Sequence, residues 1–172
     1  MDHRYRHDPS KTLVGFSVGE VQYAVPIGRV KEIANPISVV PLPHAPRAIM
    51  GVADYRGEVV PVVDLRTRFG LPPSGVTRRT KWIVVIVAGR LVALVVDSVT
   101  EVFGTAETEL RPAPAVAGDD VRGIEGVTTH DGQLVFVLGT ERLRDVTEPV
   151  ASSGAAGLNA RASSLLPGGP RT

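Results

Sequence analysis

Apolar and polar residues alternate along most of this chain, in short runs broken by glycine and proline. Over residues 12–18 the period is two, so Val14, Phe16 and Val18 share one face of a predicted strand. Gly19-Glu20 reads as a hairpin turn of the Gly-X type. Val21, Tyr23, Val25 and Ile27 resume the alternation. From Gly28 the spacing becomes three: Ile27, Val30 and Ile33, with Lys31 and Glu32 between, predict a turn or two of helix that stops at Asn35-Pro36. Residues 37–40 and 49–53 read as strands on either side of a proline-rich loop holding Pro41, Pro43 and Pro46. Arg56-Gly57 marks a turn. Residues 59–63 are nearly all apolar, as in a strand buried on both faces, and Pro61 within them predicts an edge or a bulge. Asp64 is placed to cap a short helix over 64–69.

Pro72, Pro73, Ser74 and Gly75 make residues 71–79 a linker. The pattern then repeats. Residues 82–87 and 91–96 form a strand–turn–strand unit around Gly89-Arg90. Ser98-Val99-Thr100-Glu101 has the spacing of a capping box and predicts a helix start. A loop follows over 111–120. Residues 126–130 lead into Asp131-Gly132, a strong hairpin signal, then a buried strand over 133–138 and a short helix over 140–146. Three correspondences in order point to an internal duplication. Phe16-Ser17-Val18-Gly19 matches Ile86-Val87-Ala88-Gly89 at an offset of 70; Val30, Glu32 and Ile33 match Val99, Glu101 and Val102 at 69; GVADYRGEVVPVV from Gly51 matches GVTTHDGQLVFVL from Gly126 at 75. Each copy is about 60–70 residues, near the lower limit for an independent core.

Composition agrees with a β protein. There are 28 valines among 172 residues, and β-branched side chains suit a pleated, half-buried surface. Hydrophobic residues make up 43% and charged residues 22%, the balance of a globular domain. The net charge is +1, which provides no global field for gripping nucleic acid. Cysteine is absent, so disulfides, thiol nucleophiles and Cys-ligated zinc are excluded. The start of the chain lacks the apolar core of a signal peptide. No apolar run approaches the ~20 residues that span a bilayer. The expectation is a soluble cytoplasmic protein with no direct membrane insertion.

Candidate chemistry is sparse. Gly15-Phe16-Ser17-Val18-Gly19 matches G-x-S-x-G, but that nucleophile needs a sharp strand-to-helix turn, and here Ser17 falls mid-strand. His3, His7, His44 and His130 lack metal-ligand spacing and read as exposed surface residues. Arg78, Arg79 and Lys81 form a basic cluster without interleaved aromatics, better read as a solvated loop than a nucleic-acid site. Glu101 has a capping role to fill. No nucleophile, base and orienting group converge. No catalytic residue, metal or cofactor is expected.

Residues 49–70, IMGVADYRGEVVPVVDLRTRFG, resemble the signature of the CheW-like family of bacterial chemotaxis coupling proteins. Gly51, Val52, Arg56, Gly57, Val59 to Val63, Asp64, Leu65, Arg66 and Phe69 stand where that pattern expects them. Tyr23 to Ile27, Val30 to Ile33, the LVVDSVTEV run from Leu94, Leu110-Arg111-Pro112 and Gly123 to Gly126 add to the likeness, which covers roughly residues 11–147. The family's Asn-Leu before the arginine is Asp54-Tyr55 here, which sets a carboxylate beside Arg56 and bears on partner choice.

The resemblance implies an all-β fold with short helices, two five-stranded SH3-like β-barrels packed together. The domain is expected over 12–148, with one barrel over about 12–70, a linker over 71–79 and a second barrel over about 80–148. Residues 1–11 are read as a flexible start and 149–172 as a disordered tail. The resemblance also implies a non-enzymatic adaptor that joins a chemoreceptor's cytoplasmic tip to the regulatory domain of a CheA-type histidine kinase. The alternative is a divergent regulator of a non-motility chemosensory system. By motif position, Val30, Glu32, Gly51, Arg56, Ala93, Val99 and Val102 are the expected partner-facing residues. Val30 and Val99 occupy equivalent places and are expected to face one groove between the barrels.

Overall fold

A computed structural model describes residues 11–105, 110–113, 123–144 and 147. The expectations for the flexible start, the 149–172 tail, His3, His7 and much of the 111–120 loop lie outside the described residues.

Within the first half, β1 (Thr12–Val18) and β2 (Val21–Pro26) form a hairpin, followed by a 3-10 turn over Ile27–Arg29 and β3 (Val30–Ala34). Then come β4 (Ile49–Tyr55), β5 (Glu58–Asp64) and the single helical turn α1 (Leu65–Arg68). The second half holds β6 (Lys81–Val87), β7 (Arg90–Val96), β8 (Ser98–Gly104), the short β9 (Arg111–Pro112), β10 (Ile124–His130), β11 (Gln133–Leu138) and a 3-10 turn over Thr140–Leu143. Asp64 caps α1 as expected, accepting from the Arg66 N–H at 3.0 Å and the Thr67 hydroxyl at 2.9 Å.

The two helices expected at 30–33 and from 98 are strands. The reason is a β-bulge in each. Val30 and Glu32 face Val85 and Val84 on β6, and Val99 and Val102 face Phe16 and Val14 on β1. A bulge inserts one extra residue and so resets the alternation. Apolar residues three apart then return to one ladder without any helix. Residues 37–40 are not a strand either; only Val40 pairs, through an isolated bridge to Val52. Pro61 lies in an interior strand, not at an edge. Val52 opposite it turns its own N–H and carbonyl to Val40, at 2.9 and 2.8 Å, and the β5–β7 ladder begins only at Val62. Neither neighbour requires the N–H that proline lacks.

The strands form two sheets, as the all-β reading expects. One has six strands in the order β8-β1-β2-β11-β10-β9; the other has five in the order β3-β6-β7-β5-β4. The sixth strand is the two-residue β9. The sheets are not divided at the linker. The first sheet takes β1 and β2 from before residue 71 and β8 to β11 from after it; the second takes β3 to β5 from before and β6 and β7 from after. The expected barrels over 12–70 and 80–148 are therefore interleaved, each copy lending its first hairpin to the sheet of the other copy's later strands. The duplication itself is explicit in the register. Val30 pairs with Val85 as Val99 pairs with Phe16, and Ile33 pairs with Ile83 as Val102 pairs with Val14. Both sets are related by an offset of 69, which replaces the 70 read for the first hairpin.

Three apolar clusters follow from this arrangement. Ala53, Tyr55, Val60, Val62, Trp82, Val84 and Ala93 fill the concave face of the five-stranded sheet. Leu13, Ala24, Phe103, Val135 and Val137 do the same for the six-stranded sheet. The largest cluster joins the sheets. It includes Val14, Phe16, Val18, Tyr23 and Val25 from one and Ile83, Val85, Val87, Val92, Leu94 and Val96 from the other. Strands buried on both faces explain the near-continuous apolar runs of β6 and β7. Full burial of each such side chain contributes roughly 1.5–3 kcal/mol, so the shared cluster dominates the packing.

Polar contacts pin the same junction. The Arg66 guanidinium donates to Asp97, which also accepts from the Gly19 N–H at 2.7 Å. Arg66 Nε donates to the Pro72 carbonyl at 3.0 Å. One arginine thus ties α1 to the β7–β8 corner, the first hairpin and the linker.

Candidate partner-binding surface

Glu32, just past the bulge of β3, and the hairpin residue Arg56 meet across the mouth of the five-stranded sheet. Arg56 Nη2 donates to Glu32 Oε1 at 2.8 Å. β3 and β4 are opposite edges of that sheet, so the contact requires the sheet to curl closed. Arg56 takes φ 52° and Gly57 φ 83° in the hairpin turn. The turn lifts the guanidinium over the Tyr55 ring, 5.6 Å from its centroid, and leaves the Arg56 side chain 72% exposed. Asp54 does not pair with Arg56. Its Oδ1 accepts from the Gly57 N–H at 3.0 Å and closes the turn, which an asparagine oxygen could also do. The departure at Asp54 therefore keeps the local geometry and adds one exposed charge.

The second barrel repeats the arrangement with different chemistry. Glu101, 69 residues after Glu32, occupies the bulge of β8. Asp131 stands 75 residues after Arg56, with φ 48°. Here the partner of the glutamate is His130, whose Nε2 lies 2.8 Å from Glu101 Oε1. The His130 ring stacks on Phe103 with centroids 4.0 Å apart. His130 is thus a half-buried packed residue, not the exposed histidine expected, and Glu101 bonds it instead of capping a helix.

The remaining expected partner-facing residues divide. Val102 is 55% exposed. Val30 and Val99 both pack against the cluster between the sheets. They hold equivalent places in the register, and each is partly buried against that core. Ala93 is buried between β5 and β6 neighbours, opposite Val62 and Val84. It has no surface to offer a partner. Gly51 is also internal. Its φ is 150°, and a Cβ there would overlap the Val40 carbonyl. Ser17 lies within β1 and shares a 2.6 Å hydrogen bond with Ser98, so it is not on a nucleophile turn.

Sequence reasoning missed a further set. Val59 and Leu134, 75 residues apart, are 55% and 56% exposed; Ile33 joins Val102 as its equivalent at 40%. Exposed branched residues at equivalent strand positions of both barrels give each barrel its own apolar surface beside its glutamate. The signal was available in the repeat: positions apolar in both copies, yet outside the alternation that fills the core.

No helix among the described residues is long and apolar enough to cross a membrane. Comparison with known proteins agrees with this geometry. The CheW-like domain family matches residues 12–148. The "Chemotaxis protein CheW" of Rhizobium meliloti is 34% identical over 129 residues, covering 74% of this chain and 83% of that protein. The "Chemotaxis protein CheW" of Helicobacter pylori is 30% identical over 131 residues, covering 76% and 79%. The crystal structure of the scaffolding protein TtCheW from Thermoanaerobacter tengcongensis superposes with a TM-score of 0.69 at 32% identity, covering 75% of this chain and 88% of that one. With its paired barrels, its hairpin arginine and a family match across both halves, this chain belongs to the CheW-like family.

Proposed function

We propose that this protein is a non-enzymatic adaptor of the cytoplasm that couples chemoreceptors to a CheA-type histidine kinase. The observation that carries this reading is the duplicated outer surface. Ile33 and Val59 on one barrel, and Val102 and Leu134 on the other, leave apolar side chains in water at equivalent places. A protein with two such surfaces can hold two partners at once, which is what a coupling protein must do. The solved relative is a scaffolding protein, which supports the same role.

Arg56 is the anchor of the first surface in this reading. Its fork is exposed and pre-set by Glu32 and Tyr55, and arginine is among the residues that concentrate interface energy. Replacing it by glutamate places two carboxylates together at the barrel mouth. The fold survives, because exposed ion pairs contribute only about 0–1 kcal/mol. Partner affinity falls by roughly thirtyfold, the effect of losing a hot spot of about 2 kcal/mol. Kinase activation in a reconstituted receptor–kinase mixture measures this. Full activation by Arg56→Glu, with an unchanged melting curve, would remove Arg56 from the surface.

A further inference from the structure

The mouth of the second barrel gathers a donor set that the first lacks. Glu101 comes from β8, His130 ends β10 and Asp131 opens the turn to β11. His130 Nε2 lies 2.8 Å from Glu101 Oε1 and 3.4 Å from Asp131 Oδ2. One ligand atom from each of the three residues falls within 4.8 Å of the others. A ring nitrogen carries at most one proton, so it cannot donate well to both carboxylates. Ligand arms of about 2.0–2.2 Å put the edges of a tetrahedral or octahedral site at about 2.9–3.4 Å. The 3.4 Å separation matches the tetrahedral edge, and the 2.8 Å separation falls just below the octahedral one.

The surroundings suit an ion as well. The stack of His130 on Phe103, 13° from parallel, holds the ring plane and aims Nε2 at the carboxylates. A cleft of about 240 Å³ opens beside the three residues, between Gln22, Thr100 and Gln133. It has room for several waters at about 30 Å³ each, enough to complete a coordination shell. The duplication adds an independent argument. In the first barrel, Arg56 sets a positive charge against Glu32 at 2.8 Å. The second barrel has Asp131 in place of that arginine. Among the described residues, the ion-pair contacts of Glu101 and Asp131 both go to His130. A bound cation would supply the charge that the first barrel carries in its own chain.

We propose that Glu101, His130 and Asp131 bind a divalent transition-metal ion of the zinc type, with imidazole and carboxylate ligands. β8 is one edge of the six-stranded sheet and β10 lies near the other, so the ion staples that barrel closed. No ligand spacing is visible along the chain, because Glu101 and His130 are 29 residues apart and meet through the closed sheet.

The test is a calorimetric titration of the full, chelator-stripped chain with zinc chloride, paired with thermal melts. The account expects saturable one-to-one uptake and a raised melting temperature, since a ligand of the native state stabilises it. Asp131→Asn and His130→Gln should each weaken uptake about tenfold or more. His3→Ala/His7→Ala should leave it unchanged. Asp131 is an exposed turn residue, so its variant remains folded and keeps the test valid if His130→Gln does not fold. Cobalt(II) in place of zinc should broaden the amide resonances of His130 and Phe103. Absence of uptake overturns the site. So does uptake that survives Asp131→Asn or disappears with the two N-terminal histidines.

Discussion

Expressed separately, residues 1–75 and 76–172 will each be unfolded, and mixing them will restore β structure. The reason lies in the strand exchange. Four ladders cross between the halves: β1 with β8, β2 with β11, β3 with β6 and β5 with β7. Among the described residues, the first half alone keeps the β1–β2 and β4–β5 hairpins and the Val40–Val52 bridge. An isolated hairpin is marginal in water. The same cut divides the shared cluster, placing Phe16 and Val25 in one fragment and Ile83 and Leu94 in the other. At about 1.5–3 kcal/mol for each large buried side chain, that loss exceeds the whole ~5–15 kcal/mol by which a domain is stable. Circular dichroism of each fragment and of the mixture measures it. A cooperative melt from either fragment alone would mean the halves are independent barrels.

The second large effect is at Gly51. Its Cα faces the crossing strand segment at the Val40–Val52 bridge. A methyl group would lie 2.7 Å from the Val40 carbonyl carbon and 2.9 Å from Pro41 Cα, and φ is 150°. Backbone on that side cannot rotate away as a flexible side chain would. Strain at a glycine-only conformation and overpacking each cost about 1–3 kcal/mol. Gly51→Ala should therefore lose about 4 kcal/mol. The midpoint of a thermal melt should fall by about 8–16 °C. A fall of less than about 3 °C would mean that Val40 yields freely. The glycine at this motif place is thus a demand of packing, and its effect on partners is indirect.

The features legible in the sequence are the local ones. The Asp131-Gly132 turn has φ values of 48° and 75°, and Arg56-Gly57 matches it at 52° and 83°. These turns need left-handed residues, and their dipeptides announce them. The Asp64 cap was equally plain. The spacing of three at Val30–Ile33 and Val99–Val102 is ambiguous. A bulged strand and a helix both return an apolar residue after three positions, and only the opposing strand distinguishes them. The exchange of hairpins leaves no local trace, because ladder partners lie 81 or more residues apart in β1–β8 and about 50 in β3–β6. Glu101 and its partner His130, 29 residues apart, likewise share no local pattern. Arg56 and Glu32 could be named from the motif, whereas their contact across the barrel mouth could not. Ala93 and Gly51 show the opposite limit: a motif position records that a residue matters, and burial decides that it matters from the inside.

A coupling protein must bind its kinase, and calorimetric titration with the regulatory domain of a CheA-type kinase from the same organism measures this. The expected result is saturable binding of about micromolar strength or tighter. The absence of binding to every cognate kinase regulatory domain, by a chain with a normal melting curve, would contradict it.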